Sequence, residues 1–169
     1  MDAKPWCFAE KALFGDAYLS KLSKAKAAAL LASPDEIEQQ FYEAIQQGDL
    51  ERVMACWSDD EDVTCIHPGN PRISGLTAVR SSYEVLLAQG GINLQAERVR
   101  RMHMQNCAVH SVLEKVEIID PEHGPRRAWV TATNIYMQSA QGWRLVLHHA
   151  SPAVEGDIPD TTPSPSILH

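Results

Sequence analysis

Thr64-Cys65-Ile66-His67-Pro68-Gly69 and Gly142-Trp143-Arg144-Leu145-Val146-Leu147-His148-His149-Ala150-Ser151-Pro152 are the stretches on which the fold turns. The first is a short strand that ends in a histidine held before a proline. The second alternates apolar and polar residues at strand period and closes the patterned part of the chain. Together they read as the two ends of one small α+β cone built around a pocket.

Working outward, Ser33-Pro34-Asp35-Glu36 starts a helix: Ser33 caps, Pro34 suits the first helical position and Glu36 completes a capping box. Ile37, Phe41, Ala44 and Ile45 then share one face at helical spacing, and Gly48 ends the helix. Asp49 caps a second, short helix with Leu50, Val53, Met54 and Trp57 apolar. Pro68, Gly69 and Pro71 make a loop. A third helix runs from about Gly75 to Ala88, with Leu76, Val79, Tyr83, Leu86 and Leu87 inward, and Gly90-Gly91 stops it. The period then changes to two, predicting strands near 92–104, 107–118, 127–138 and 142–150, with turns at Asn106, Asp120–Gly124 and Ala140–Gly142. Helices first and an antiparallel meander after is an α+β order: three helices on one face of a curved antiparallel sheet, with an internal pocket.

The organisation is one domain over 33–152. An N-terminal extension covers 1–32, helical over Ala9–Leu31 or partly disordered, and a flexible tail covers 153–169. Of the 169 residues 44% are apolar and 22% charged, ordinary for a globular protein. A formal charge of −7 argues against general nucleic-acid binding. No apolar run approaches the roughly 20 residues that span a bilayer, and the first residues lack a secretory pattern. Cys7, Cys56, Cys65 and Cys107 form no C-x-x-C pair, so zinc-ribbon and redox motifs are excluded. A reducing cytoplasm is the expected compartment.

Gly48-Asp49-Leu50 between helices, Trp57 with Asp59-Asp60-Glu61-Asp62, His67-Pro68 before Gly75, Thr131-Ala132-Thr133-Asn134 and the Trp143-to-Ser151 strand occur in an order that resembles the SnoaL-like branch of the nuclear transport factor 2-like superfamily. The resemblance covers roughly residues 34–152. Relatives in that superfamily include ketosteroid isomerase, cyclases, dehydratases and the non-catalytic hub domain of calmodulin-dependent kinase. The hub's closing strand is similar to Trp143, Val146, His149 and Ser151 here. The resemblance implies a cone with a pocket, a homodimer through the sheet face, and no organic cofactor.

It also implies where chemistry would sit. In the isomerase the general base is an aspartate before a proline, and His67-Pro68 occupies the similar place. Histidine's pKa near 6.5 suits a base at neutrality. The isomerase's helix tyrosine falls on Phe41 here, which cannot donate. Tyr42 points about 100° away from it along a helix. The isomerase's late-strand donor falls near Asn134, whose amide can donate to an oxyanion. If Asn134 faces the pocket, so do Ala132 and Tyr136. Comparison with the hub adds His110, Val112, Glu114 and Val116 on one neighbouring strand and Val146, His148 and Ala150 on the other. A β-bulge would shift this parity by one. The hub's pocket carries arginines near the places of Glu114, Asn134 and Ala150, and none is arginine here, which disfavours small carboxylates.

The candidate catalytic set is therefore His67, Asn134, Glu114 and His148, and the candidate ligand-binding set Phe41, Trp57, Tyr83, Val112 and Tyr136. A three-ligand site of His67, Glu114 and His148 is geometrically possible in a cone, but no helical histidine pair supports it and the reading assigns no metal. Trp143 packs on the sheet, and Asp59–Asp62 is a solvated loop. Three readings stay open. One is an enzyme transferring a proton on a small, largely apolar molecule, of isomerase, cyclase or dehydratase type. The others are a non-catalytic ligand-binding module and a hub-like assembly module.

Overall fold

A computed structural model describes residues 31–120, 124–154 and 156. The N-terminal extension up to residue 30, the middle of the 120–124 turn and nearly all of the tail beyond Val154 lie outside the described residues.

Helix α1 spans Pro34–Gln47 and begins at the box read from the sequence. Ser33 Oγ accepts the Glu36 N–H at 3.2 Å, and the Glu36 carboxylate accepts the Ser33 N–H at 2.7 Å. Both bonds satisfy N–H groups that a helix start leaves without partners. Asp49 caps α2 (Leu50–Cys56) by accepting the Arg52 N–H at 3.0 Å. The chain continues through β1 (Thr64–Ile66), β2 (Ile73–Ser74), α3 (Leu76–Leu86), β3 (Asn93–His103), β4 (Cys107–Asp120), β5 (Gly124–Ser139) and β6 (Gly142–Pro152).

The strands form one six-stranded sheet in the order β2-β1-β6-β5-β4-β3. The α+β class and the helices packed on the sheet stand as expected. The sheet is mixed, however, not wholly antiparallel, because β1 runs parallel to β6. No hairpin joins those two strands, so nothing forces them antiparallel. The bond Ser58 N–H to Leu145 O, at 2.9 Å, starts the parallel alignment just after α2. Cys65 pairs with His148 and Ile66 with His149, so the two stretches that decide the fold lie side by side rather than at opposite ends. Ile73–Ser74 adds a short edge strand to β1. The strand read as 127–138 extends over 124–139.

A bulge corrects the expected parity of β6. Ile135 pairs with Leu147 but Tyr136 pairs with Leu145, leaving Val146 without a partner across β5. The extra residue turns Leu145 fully inward and leaves Val146 only half-buried. His148 keeps its inward direction.

The helices cover the concave face. Phe41, Val53 and Val79 from the helices, and Val112, Ala132 and Leu145 from the sheet, are essentially inaccessible to water. The end of α1 is locked to the loop before β3: Ile92 N–H donates to Ile45 O at 3.1 Å, and a Cβ on Gly91 would stand 1.9 Å from the Gln46 carbonyl oxygen. Gly91 is thus needed for close approach, not only to stop a helix. Gly91→Ala is expected to cost about 2 kcal/mol or more, because backbone rather than a side chain must yield. Urea denaturation checks this; a cost below about 0.5 kcal/mol would show that the contact is not a constraint.

Candidate functional site

His67 is aimed by a turn. Pro68 at the second position and Gly69 at the third, with φ 73°, suit a type II turn, closed by Asn70 N–H donating to His67 O at 3.0 Å. The ring stands edge-on to Tyr83, centroids 5.1 Å apart. Ser82 donates its hydroxyl proton to Val79 O at 2.7 Å, so its oxygen is left to accept from His67 Nε2 at 3.1 Å. That fixes Nδ1 as the unprotonated nitrogen.

Behind His67 lies a cavity of about 230 Å³. Pro68, Asn70 and Leu86 are exposed and form its mouth. Ile45, Leu94, Val116 and Val130 form apolar walls, and Tyr83, Glu114 and His148 bring the polar groups. The volume is below the roughly 300–1,000 Å³ of drug-sized sites, so it suits a small molecule.

A chain of side-chain hydrogen bonds runs along the cavity's inner side. His148 Nδ1–H donates to Asn134 Oδ1 at 2.7 Å. Asn134 Nδ2–H donates to the Tyr42 hydroxyl at 3.0 Å, and that hydroxyl donates to Glu114 Oε1 at 2.7 Å. His148 only donates and the Glu114 oxygen only accepts, while Asn134 and Tyr42 each do both, so the chain sets the tautomer of His148 and leaves its Nε2 unprotonated. Sheet register makes the alignment possible: His110 pairs with Asn134 and Asn134 with His148 across β4, β5 and β6.

Burial dominates the electrostatics. Desolvation raises the Glu114 carboxyl to about 7, opposed by the Tyr42 hydrogen bond and assisted by the Glu38 charge. Desolvation, with His67 and His149 nearby, lowers His148 to about 3. His67 is lowered by burial alone. The Tyr42 and Tyr83 hydroxyls are pushed well above their usual range by burial first, so both remain protonated donors. Cys65 is pushed to about 12 and is no nucleophile. At neutral pH the site therefore holds two neutral imidazoles and one carboxyl near half-ionisation.

The sequence from 35 to 155 matches the family model of the SnoaL-like domain. The chain belongs to the SnoaL-like family. A solved structure from Thiobacillus denitrificans, a candidate calcium/calmodulin-dependent protein kinase type II association domain, is 35% identical, with 74% of this chain and 98% of that one covered and a TM-score of 0.65. A candidate dehydratase of the nuclear transport factor 2-like family from Streptomyces avermitilis is 29% identical over 70% of this chain and 91% of that one, TM-score 0.63. A candidate ketosteroid isomerase from Parabacteroides distasonis shares the fold at 20% identity, covering 75% and 92%, TM-score 0.60. No curated protein matches the chain.

In this SnoaL-like domain, Glu114, Asn134 and His148 come together through the hydrogen-bond chain, and His67 lines the same cavity. Of the five candidate ligand-binding residues, Tyr83 lines the cavity. Phe41 lies one layer behind, its ring against Tyr83, Trp57 and His148, while Val112 and Tyr136 are buried on the concave face. Tyr42 is the residue that sequence reasoning passed over. The buried arc of α1 is wide enough to include Phe41 and Tyr42 together, so the helix supplies a hydroxyl donor after all. Glu38 and Tyr42, four residues apart on that arc, were the available signal. Among the described residues, no helix is long and apolar enough to cross a membrane.

Glu114 and His148 link stability to pH with opposite signs. Glu114 is raised from 4.5 to about 7, so its contribution is full below 4.5 and is lost as pH rises through 7. His148 is depressed from 6.5 to about 3, so its contribution is full above 6.5 and is lost as pH falls towards 3. Between pH 4 and 8 the stability difference should therefore move in favour of Glu114→Gln over wild type by about 3 kcal/mol. Urea denaturation at both pH values measures the shift; a pH-independent difference would mean that Glu114 ionises freely.

Proposed function

We propose that this SnoaL-like domain binds a small, largely apolar molecule in the His67–Glu114 cavity and transfers a proton on it, as an isomerase, cyclase or dehydratase would. The observation that carries the reading is a carboxyl poised near pH 7 in an apolar cavity, because a general acid–base group works best when its pKa lies near the working pH. His67, neutral at pH 7 with Nδ1 unprotonated, serves as the base. Glu114 in its protonated form serves as the acid that gives its own proton to the substrate, and exchange with water then takes the proton off His67 and reprotonates Glu114. His148 is too weakly basic to abstract a proton at neutrality; its unprotonated Nε2 can accept a hydrogen bond from the bound molecule, and with Asn134 it orients the Tyr42–Glu114 pair.

The test uses simple cyclic ketones, cyclohexanone and cyclohexenone, as probes. Exchange of their α-protons into D2O, followed by proton NMR, should exceed the buffer rate with wild type. It should fall by about 10²-fold or more in His67→Ala and in Glu114→Gln. The rate should pass through a maximum between the lowered pKa of His67 and about pH 7, where His67 is basic and Glu114 acidic. Saturable binding without exchange at any pH from 5 to 8 would overturn catalysis and leave a binding module.

The 35% identity to a candidate kinase association domain favours a second reading, an assembly role with subunits joined through the outer sheet face. An isologous dimer is the expected unit. Native mass spectrometry of the full chain distinguishes the two: a dimer carrying a small organic ligand supports the pocket reading, whereas a larger empty ring supports assembly.

A further inference from the structure

We propose that Asp35, His103 and His110 form a binding site for a divalent transition metal of the zinc class, separate from the cavity. The three sit where the first turn of α1 meets the β3–β4 hairpin. His110 Nε2 lies 3.4 Å from His103 Nε2 and 3.4 Å from Asp35 Oδ1, and the latter two atoms are 3.8 Å apart. A point equidistant from atoms so spaced lies about 2.05 Å from each, within the 2.0–2.2 Å of zinc–nitrogen and zinc–carboxylate bonds.

The protonation pattern favours a cation there. His110 is completely buried, and its Nδ1–H donates to Glu38 Oε2 at 2.9 Å. In the neutral tautomer that this bond selects, Nε2 carries a lone pair and lies 3.4 Å from each of the other two atoms. A carboxylate holding the far nitrogen of a histidine is the arrangement by which proteins orient metal-binding imidazoles. Asp35 Oδ1 can only accept. Arg101 braces both carboxylates, with Nε 3.0 Å from Asp35 and a terminal nitrogen 3.3 Å from Glu38. Its charge leaves these two acids with a net charge of −1 for an incoming cation. Two imidazoles and one carboxylate suit zinc and its neighbours rather than magnesium or calcium. Asp35 and His103 are each about half exposed, at 49% and 50% of their side chains, so an ion has a path in and water can fill its fourth position.

Asp35 opens the helix and His110 lies in the core, but His103 ends β3 at the surface, so His103→Ala should fold normally. The test uses full-length protein without an affinity tag, stripped with chelator and titrated with Zn²⁺ by calorimetry, with Co²⁺ absorption as a second readout. The expected result is one tight Zn²⁺ per wild-type chain, lost in His103→Ala and weakened about 10–100-fold in Glu38→Gln with circular dichroism unchanged. No Zn²⁺ uptake by wild type, or uptake equal in His103→Ala, would overturn the proposal. A thiolate–cobalt charge-transfer band would also overturn it, by assigning the ion to cysteine. Calorimetry and Co²⁺ absorption read the ion directly, so their outcome does not depend on whether the His67–Glu114 cavity exchanges ketone protons.

Discussion

The buried chain from His148 through Asn134 and Tyr42 to Glu114 is the interaction on which the rest depends. Its three bonds, of 2.7, 3.0 and 2.7 Å, tie α1 to β4, β5 and β6 inside the apolar core. A polar group buried without a partner costs about 1–3 kcal/mol, so such a network specifies its arrangement strongly when complete and fails when any member is removed. It also explains how a carboxyl is held inside the cone at all. Glu114 escapes the cost of a buried charge by taking up a proton near neutral pH, and the Tyr42 hydroxyl fixes which oxygen stays an acceptor.

The same cone carries a second polar cluster with a different character. Glu38 and Tyr42 stand one helical turn apart on α1, yet one is bound to His110 and the other to Glu114. The Tyr42 branch ends in the largely apolar cavity. The Glu38 branch leads outward through His110 to the half-exposed His103 and Asp35. A single helix face thus anchors both the cavity and the Asp35–His103–His110 cluster, which differ in how much water reaches each. The Glu38 charge also raises Glu114, so the two branches are electrostatically linked.

Much of the architecture was legible because it rests on local rules. Ser33, Glu36, Gly48 and Asp49 cap and end helices through bonds within a few residues, and period-two alternation marked β3 to β6 as strands. The SnoaL-like resemblance supplied the cone. What was missed involved contacts that no local rule describes. A 100° step along a helix turns Tyr42 away from Phe41, but the core buries both. Val146 was placed inward because a bulge is invisible in an alternating pattern.

The sequence by itself determined the α+β order, the helix boundaries and the histidine turned by Pro68 and Gly69, since each depends on backbone preference and on residues close in the chain. Only the tertiary structure decided that His67 follows a strand lying parallel to the one that carries His148, that Tyr42 bonds Glu114, and that Asp35, His103 and His110 converge. The Tyr42–Glu114 bond alone joins residues 72 positions apart. Those facts are fixed by strand register and by the burial of polar groups that must find partners, and neither can be read from spacing along the chain.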